Sequence, residues 1–233
     1  MRGFVGFLVF VGVLVAVLVF LVAPALARPL IASLVNDALP FDSESLDIGV
    51  EVGPSLLAGE VDAVTIRGRD LQSDNISIGS LELTINGVST GDRTFRSSEG
   101  RLEDAEVRLD DGTVVSITLV ELGGPSDAAE ATATMDAEAT EGLVRAKLAE
   151  AGILHDSVRL SEGVVEVSAG GQTVRSTIEV RDDGLFLVAD RPLPPLALIQ
   201  TDPSEAWHVS AATVSSDGLR LALTLDAEAL LSP

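Results

Sequence analysis

The chain has 233 residues, and 15 Lys and Arg stand against 36 Asp and Glu, a formal charge of −21. Nucleic-acid binding is excluded in practice, because a phosphate backbone needs a cationic stripe. The absence of Cys removes disulfide scaffolds, thiolate zinc sites and cysteine nucleophiles. Hydrophobic residues make up 46%, too many for a disordered acidic chain, yet aromatics are only 3% with no Tyr, so the core must be aliphatic.

The charge is unevenly placed. Residues 3–27 carry none, whereas residues 28–233 hold 14 basic and 36 acidic residues, a charge of −22. The run from Gly3 to Ala23 is about the 20 apolar residues that cross a bilayer core as a helix. Arg2 and the amino terminus are the only positive groups before it, which places the N-terminus in the cytoplasm and the rest outside. A cleaved signal peptide is the alternative: Pro24 precedes Ala25-Leu26-Ala27, a small-x-small site for cleavage after Ala27. Both readings give residues 1–27 as signal anchor or signal peptide and residues 28–233 as an extracytoplasmic domain, in the periplasm or cell envelope.

Leu30, Ile31, Leu34, Val35 and Leu39 recur at helical spacing between Pro29 and Pro40, predicting a first helix over 30–39. Two-residue alternation then predicts strands near 46–52, 61–69, 75–86, 101–109 and 113–122, with a hairpin at Asp110-Asp111-Gly112. Ile76 and Ile78 fall out of phase with Leu81, Leu83 and Ile85, which predicts a bulge at Gly79-Ser80. Residues 129–139 alternate small apolar with polar side chains. Thr140 is the expected N-cap of a second helix over 141–151, striped by Leu143, Val144, Leu148 and Ala151 and stopped by Gly152. Strands resume near 157–168, 172–181, 184–189, 207–214 and 218–227, separated by turns at 161–163, 170–171, 182–184 and 216–218. Thr-Met-Asp-Ala-Glu-Ala at 134–139 echoes Thr-Leu-Asp-Ala-Glu-Ala at 224–229, a short repeat or a coincidence of composition. The expected class is α+β: a long curved antiparallel sheet wrapped around one or two helices.

Val50-Glu51-Val52-Gly53-Pro54-Ser55-Leu56-Leu57-Ala58-Gly59 followed by Val61-Asp62-Ala63-Val64-Thr65-Ile66 resembles the entry motif of the LmeA-like phospholipid-binding family. Met135-Asp136 through Leu143 with Val158-Arg159-Leu160, and Val214 to Leu221 with Asp217-Gly218-Leu219, are similar to its strand–helix–strand segment and last hairpin. Ser55 departs from the aromatic that often follows the proline. The resemblance, over roughly residues 28–228, implies a tubular lipid-binding type of fold that holds phospholipid acyl chains in a bacterial cell envelope.

The residues admit that function. An aliphatic sheet with few aromatics leaves room for acyl chains, and each buried CH₂ gains about 0.8 kcal/mol. The expected lining comprises Leu34 of the first helix, Leu56 and Leu57 of the turn, Ile66, Leu83, Ile85 and Met135 of the strands, and Leu143 and Leu148 of the second helix. Pro192-Leu193-Pro194-Pro195-Leu196-Ala197-Leu198-Ile199 reads as a flap at the mouth, with Leu193, Leu196 and Leu198 dipping toward lipid, or as a loop packed on the core. Arg67 and Arg69, alternating on one strand, either grip a lipid phosphate or pair with carboxylates.

Covalent chemistry is weakly supported. Gly87-Val88-Ser89-Thr90-Gly91 has the form of a hydrolase elbow, but residues 92–98 lack the helical periodicity that chemistry requires, so a Gly-rich turn is the simpler reading. His155 and His208 lie 53 positions apart with no converging partners, and Asp182-Asp183-Gly184 lacks calcium-loop spacing. The Asn75-Ile76-Ser77 sequon suggests no site, and Lys147 is the only Lys. No enzyme activity, cofactor or metal is expected. The partners are a phospholipid or other acyl lipid, and the cytoplasmic membrane through residues 3–23. The rival functions are a ligand-free structural or interaction domain of the envelope and, further off, an exported serine hydrolase using Ser89.

Overall fold

The structure is a computed structural model that describes residues 46–53, 55, 60–89, 95–108, 112–125, 128–181, 184–200 and 207–225. The expected first helix with Leu34, the apolar N-terminal segment, and Leu56 and Leu57 lie outside the described residues. Among the described residues no helix is long and apolar enough to cross a membrane.

The described chain is mostly β. In order it forms β1 (Leu46–Glu51), β2 (Glu60–Gln72), β3 (Ile76–Ser89), β4 (Ser97–Arg108), β5 (Val114–Gly124) and β6 (Ala129–Asp136). One helix, α1 (Ala137–Glu150), precedes β7 (Ser157–Ser161), β8 (Val164–Ala169), β9 (Gln172–Arg181), β10 (Gly184–Ala189), β11 (Leu196–Gln200), β12 (Trp207–Ser215) and β13 (Gly218–Leu225). Two antiparallel sheets result: eight strands in the order β1-β2-β3-β4-β5-β6-β13-β12, and five in the order β11-β10-β9-β8-β7. The expected antiparallel sheet packed on a helix is present, in two sheets and with one helix among the described residues. The expected curl is not: both sheets are open, with β1 and β12 unpaired to each other at opposite edges of the larger one. The helix lies against β5, β6 and β13 of one sheet and β7 and β11 of the other, and β12 packs on β7, β8, β9 and β10. Two sheets sharing a helix bury its apolar stripe without either having to wrap around it.

Several local expectations are also corrected. The alternation of 129–139 breaks off at Asp136, which caps α1 by accepting a 2.8 Å hydrogen bond from the Ala139 N–H through Oδ1. Thr140 is therefore inside the helix, fully buried, its hydroxyl donating to the Asp136 carbonyl at 2.7 Å. An Asp outcompetes Thr as a cap because its carboxylate also complements the positive end of the helix dipole. Ala151, expected on the apolar stripe, is exposed, while Leu143, Val144 and Leu148 are buried. Residues 157–168 form a hairpin, β7 and β8, about the turn expected at 161–163, while half of the expected flap is strand β11.

The larger sheet is organised in rows. Gly68, Leu81, Leu102, Val120, Ala133 and Leu221 stand opposite one another across six strands, and all are buried. The next buried row, Leu71, Ile78, Ala105 and Ile117, is three residues further along each strand instead of two. The pairing skips one intervening level, formed by Asp70, Gly79, Asp104 and Thr118, and resumes in the same register beyond it. The sequence-predicted bulge at Gly79-Ser80 is thus one member of a reset shared by four strands, and it adds no unpaired residue to any one strand. Asp70 and Asp104 make the turn with φ of 51° and 53°, a left-handed conformation that Asp tolerates better than most residues. Because of the reset, Leu71 folds back toward Gly68: a Cβ on Gly68 would lie 2.9 Å from both Leu71 methyls. Gly79 is equally constrained, since its Cβ would meet the Asp104 Cβ at 3.1 Å and the Glu103 carbonyl at 3.3 Å. The aliphatic residues on both sides of the row therefore join one core cluster.

Asp104→Val should lower unfolding stability by about 1–3 kcal/mol, because a β-branched residue resists positive φ. Asp104→Gly should cost less than about 0.5 kcal/mol or stabilise. Urea unfolding of the two variants checks this: equal losses would show that the conformation at 104 is not what matters.

Candidate lipid-contact edge

Local sequence places three large aliphatic side chains in water at one end of the five-stranded sheet. The first two lie in the α1–β7 loop, where Ile153 is 45% and Leu154 89% exposed. The third is Leu193, 55% exposed in the β10–β11 loop, flanked by exposed Pro192, Pro194 and Pro195. Prolines cannot supply ladder N–H groups, so the chain leaves the sheet there before re-entering it as β11.

Backbone bonds pin these loops to the same end of the sheet. The Asp156 N–H donates to the Ser168 carbonyl at 2.7 Å, and Asp156 Oδ2 accepts from the Gly170 N–H at 2.8 Å. The Asp190 N–H donates to the Arg175 carbonyl of β9 at 2.9 Å, and the Leu193 N–H to the Arg191 carbonyl at 2.7 Å. His155 Nδ1 lies 3.2 Å from the Ile153 carbonyl, a local turn contact. Directly behind the exposed residues the chain is buried on both sides: Leu148 and Val158 flank the first loop, and half-buried Leu196 and buried Leu198 follow the second. The helix α1 touches both β7 and β11, the strands that follow the two loops.

The other expected lining residues are scattered through the interior. Ile66, Leu83 and Ile85 are fully buried in the larger sheet, and Met135, Leu143 and Leu148 are buried where β6 and α1 meet it. The structure joins them to Leu198 in one aliphatic cluster and leaves only Leu193 in solvent.

Arg67 and Arg69 occupy the exposed face of β2. Arg67 Nε bonds Glu82 Oε1 at 2.9 Å, and Arg101 Nε bonds Glu103 Oε1 at 2.8 Å and reaches Glu121 at 3.7 Å. Arg67, Glu82, Arg101 and Glu121 are register neighbours, so opposite charges alternate across four strands. Such exposed pairs contribute little to stability, but they satisfy Arg67 and Arg101 locally. Glu103 also accepts from the Ser80 hydroxyl at 3.1 Å. The Arg101 guanidinium first, and the Ser80 hydroxyl second, hold its carboxyl below the usual carboxylate range.

Sequence reasoning missed a polar cleft of about 360 Å³ along the reset row, lined by Asp70, Asp104, Glu106, Ser77, Ser116 and Asp136 among others. The only available signal was acidic residues inside otherwise alternating strands. Among the described residues no three His, Asp or Glu side chains gather where they could hold a metal ion. Ser89 ends β3 opposite Glu60. Residues 90–94 lie outside the described residues, and the next described element is strand β4. His208 lies on β12, exposed, and well apart in sequence from His155.

No family model, curated protein or solved structure matches this chain.

The Glu103 pairing stabilises the fold fully above the ordinary carboxylate range and is lost as pH falls through the lowered value. A carboxyl-resolved NMR titration should find Glu103 titrating at lower pH than it does in Arg101→Ala. An identical titration in that variant would show that the guanidinium is not the cause.

Proposed function

We propose that this chain is a lipid-binding protein of the cell envelope, tethered through residues 3–23, that engages phospholipid acyl chains without covalent chemistry. The observation that carries the reading is the exposure of Leu154, Leu193 and Ile153 in two loops at one end of the five-stranded sheet, each loop leading along the chain to buried residues, Leu148 and Val158 for the first and Leu198 for the second. Exposed aliphatic side chains cost free energy in water and gain it in a hydrocarbon environment. Acyl chains enter beside α1, between the loops that lead into β7 and β11. The finer expectation of a tube closed around a helix is replaced by a mouth between two open sheets. A phosphate grip by Arg67 and Arg69 is not part of this reading, because Arg67 already holds Glu82 on the outer face.

The packing favours a second reading, a ligand-free interaction domain. Leu46 and Leu71 crowd Gly68, and Leu83 and Leu122 crowd Gly100, so the centre of the larger sheet is filled by the protein's own side chains. Phospholipid retained by the purified full chain, and uptake of a fluorescent phospholipid, separate the two.

The absence of Cys makes a site-specific probe simple. Leu154→Cys, Leu193→Cys and, in the opposite turn of the same sheet, Glu162→Cys are each labelled with an environment-sensitive fluorophore in full-length chain reconstituted into phosphatidylcholine vesicles. Positions 154 and 193 should shift to the blue and be quenched by spin-labelled lipid, while 162 stays aqueous. Emission at all three that matches water would overturn the lipid-contact reading.

A further inference from the structure

Three polar residues are buried among the described core: Ser98, Thr140 and Ser176. Two are satisfied by the protein. Ser98 donates to the Gly124 carbonyl at 3.2 Å, and Thr140 to the Asp136 carbonyl at 2.7 Å. Ser176, only 4% exposed, has no hydrogen-bond partner for its hydroxyl among the described residues. An unmade hydrogen bond in a buried site costs about 1–3 kcal/mol, so such a group calls for a partner.

Its position supplies one. Ser176 is on β9 between Val165 of β8 and Ala189 of β10, in a row that continues to Leu160 of β7. It alternates with exposed Arg175 and Thr177 and shares its face with buried Ile178. Ala189 is the last residue of β10, and Asp190 opens the loop that carries Leu193. Ser176 thus stands in the last paired row of β10, next to the start of the loop that carries Leu193. In a diacyl lipid whose chains pass that edge, the polar groups nearest the chains are the ester carbonyls, which accept hydrogen bonds and cannot donate them.

We propose, resting on the lipid-binding reading above, that the Ser176 hydroxyl donates a hydrogen bond to an ester carbonyl of the bound acyl lipid. The protein thereby distinguishes ester-linked from ether-linked chains. The rival is that Ser176 is only a small residue where β9 meets β12, in which case Ala serves as well.

The test uses the full-length chain in detergent, offered equal amounts of diester and diether phosphatidylcholine with matched chains, and native mass spectrometry to count what is retained. The wild type should retain the diester form about fivefold over the diether, the discrimination that one net hydrogen bond gives. Ser176→Ala should lose that preference while the lipid-free protein melts at the same or a higher temperature, since an unsatisfied hydroxyl has been removed. No preference in the wild type, or an undiminished preference in Ser176→Ala, would overturn the proposal and leave the lipid-binding reading standing. Failure of the wild type to retain either lipid would instead remove the reading on which it rests.

Discussion

The constraint on which the larger sheet depends is the coordinated reset at Asp70, Gly79, Asp104 and Thr118. A strand that alternates strictly sends every second side chain to the core, and one extra step inverts that assignment for all that follows. Here four strands take the extra step at the same level, so Leu71, Ile78, Ala105 and Ile117 return to the cluster holding Leu81 and Leu102. Had one strand alone reset, its remaining apolar residues would have faced water while its neighbours stayed buried. Two left-handed Asp residues and one crowded Gly are the local cost of keeping a single core along strands of 11 to 14 residues.

Composition explains how this core closes with so few rings. Phe95 and Phe186 are buried, but most of the interior is Val, Leu, Ile and Ala. Branched aliphatics pack across neighbouring strands in a small number of rotamers. Where two of them meet over Gly68 or Gly100, the missing Cβ gives the needed room. The scarcity of aromatics therefore does not by itself imply empty space. In the larger sheet glycine and leucine are complementary.

Much of the fold was legible in local pattern. The strand alternation, the antiparallel pairing of β4 with β5, the second helix and its stop at Gly152 all follow from periodicity and turn chemistry. What was not legible depends on pairing between distant segments. The phase slip at Gly79 is visible in β3, but its partners at Asp70, Asp104 and Thr118 show only once the register is known. The helix start was misplaced because Thr140 and Asp136 are both good caps, and the strand pairing of Asp136 with Gly218 decides where the strand ends. The division into two open sheets was equally hidden, because a long meander has the same sequence pattern whether it curls or breaks. Of the expected site residues, Leu193 was placed by its prolines, whereas Ile153 and Leu154 were passed over because a two-residue apolar step in a loop has no period.

The electrostatics narrow how such a domain can meet a membrane. Residues 28–233 carry −22, so an anionic surface repels the domain as a whole. On the outer face of the larger sheet Arg67 is matched with Glu82, and Arg101 with Glu103 and Glu121. Near the aliphatic edge Lys147 is held by Glu150 at 2.8 Å, which leaves its ammonium committed at the last turn of α1. The net charge thus opposes approach to an anionic bilayer, and at physiological salt that repulsion fades within about 8 Å. Contact then depends on short-range burial of Ile153, Leu154 and Leu193, a force that ignores headgroup charge and acts only when the loop ends already touch hydrocarbon. On the proposed reading, an anchor at residues 3–23 would supply that proximity, which is why the anchor and the exposed edge belong to one functional argument.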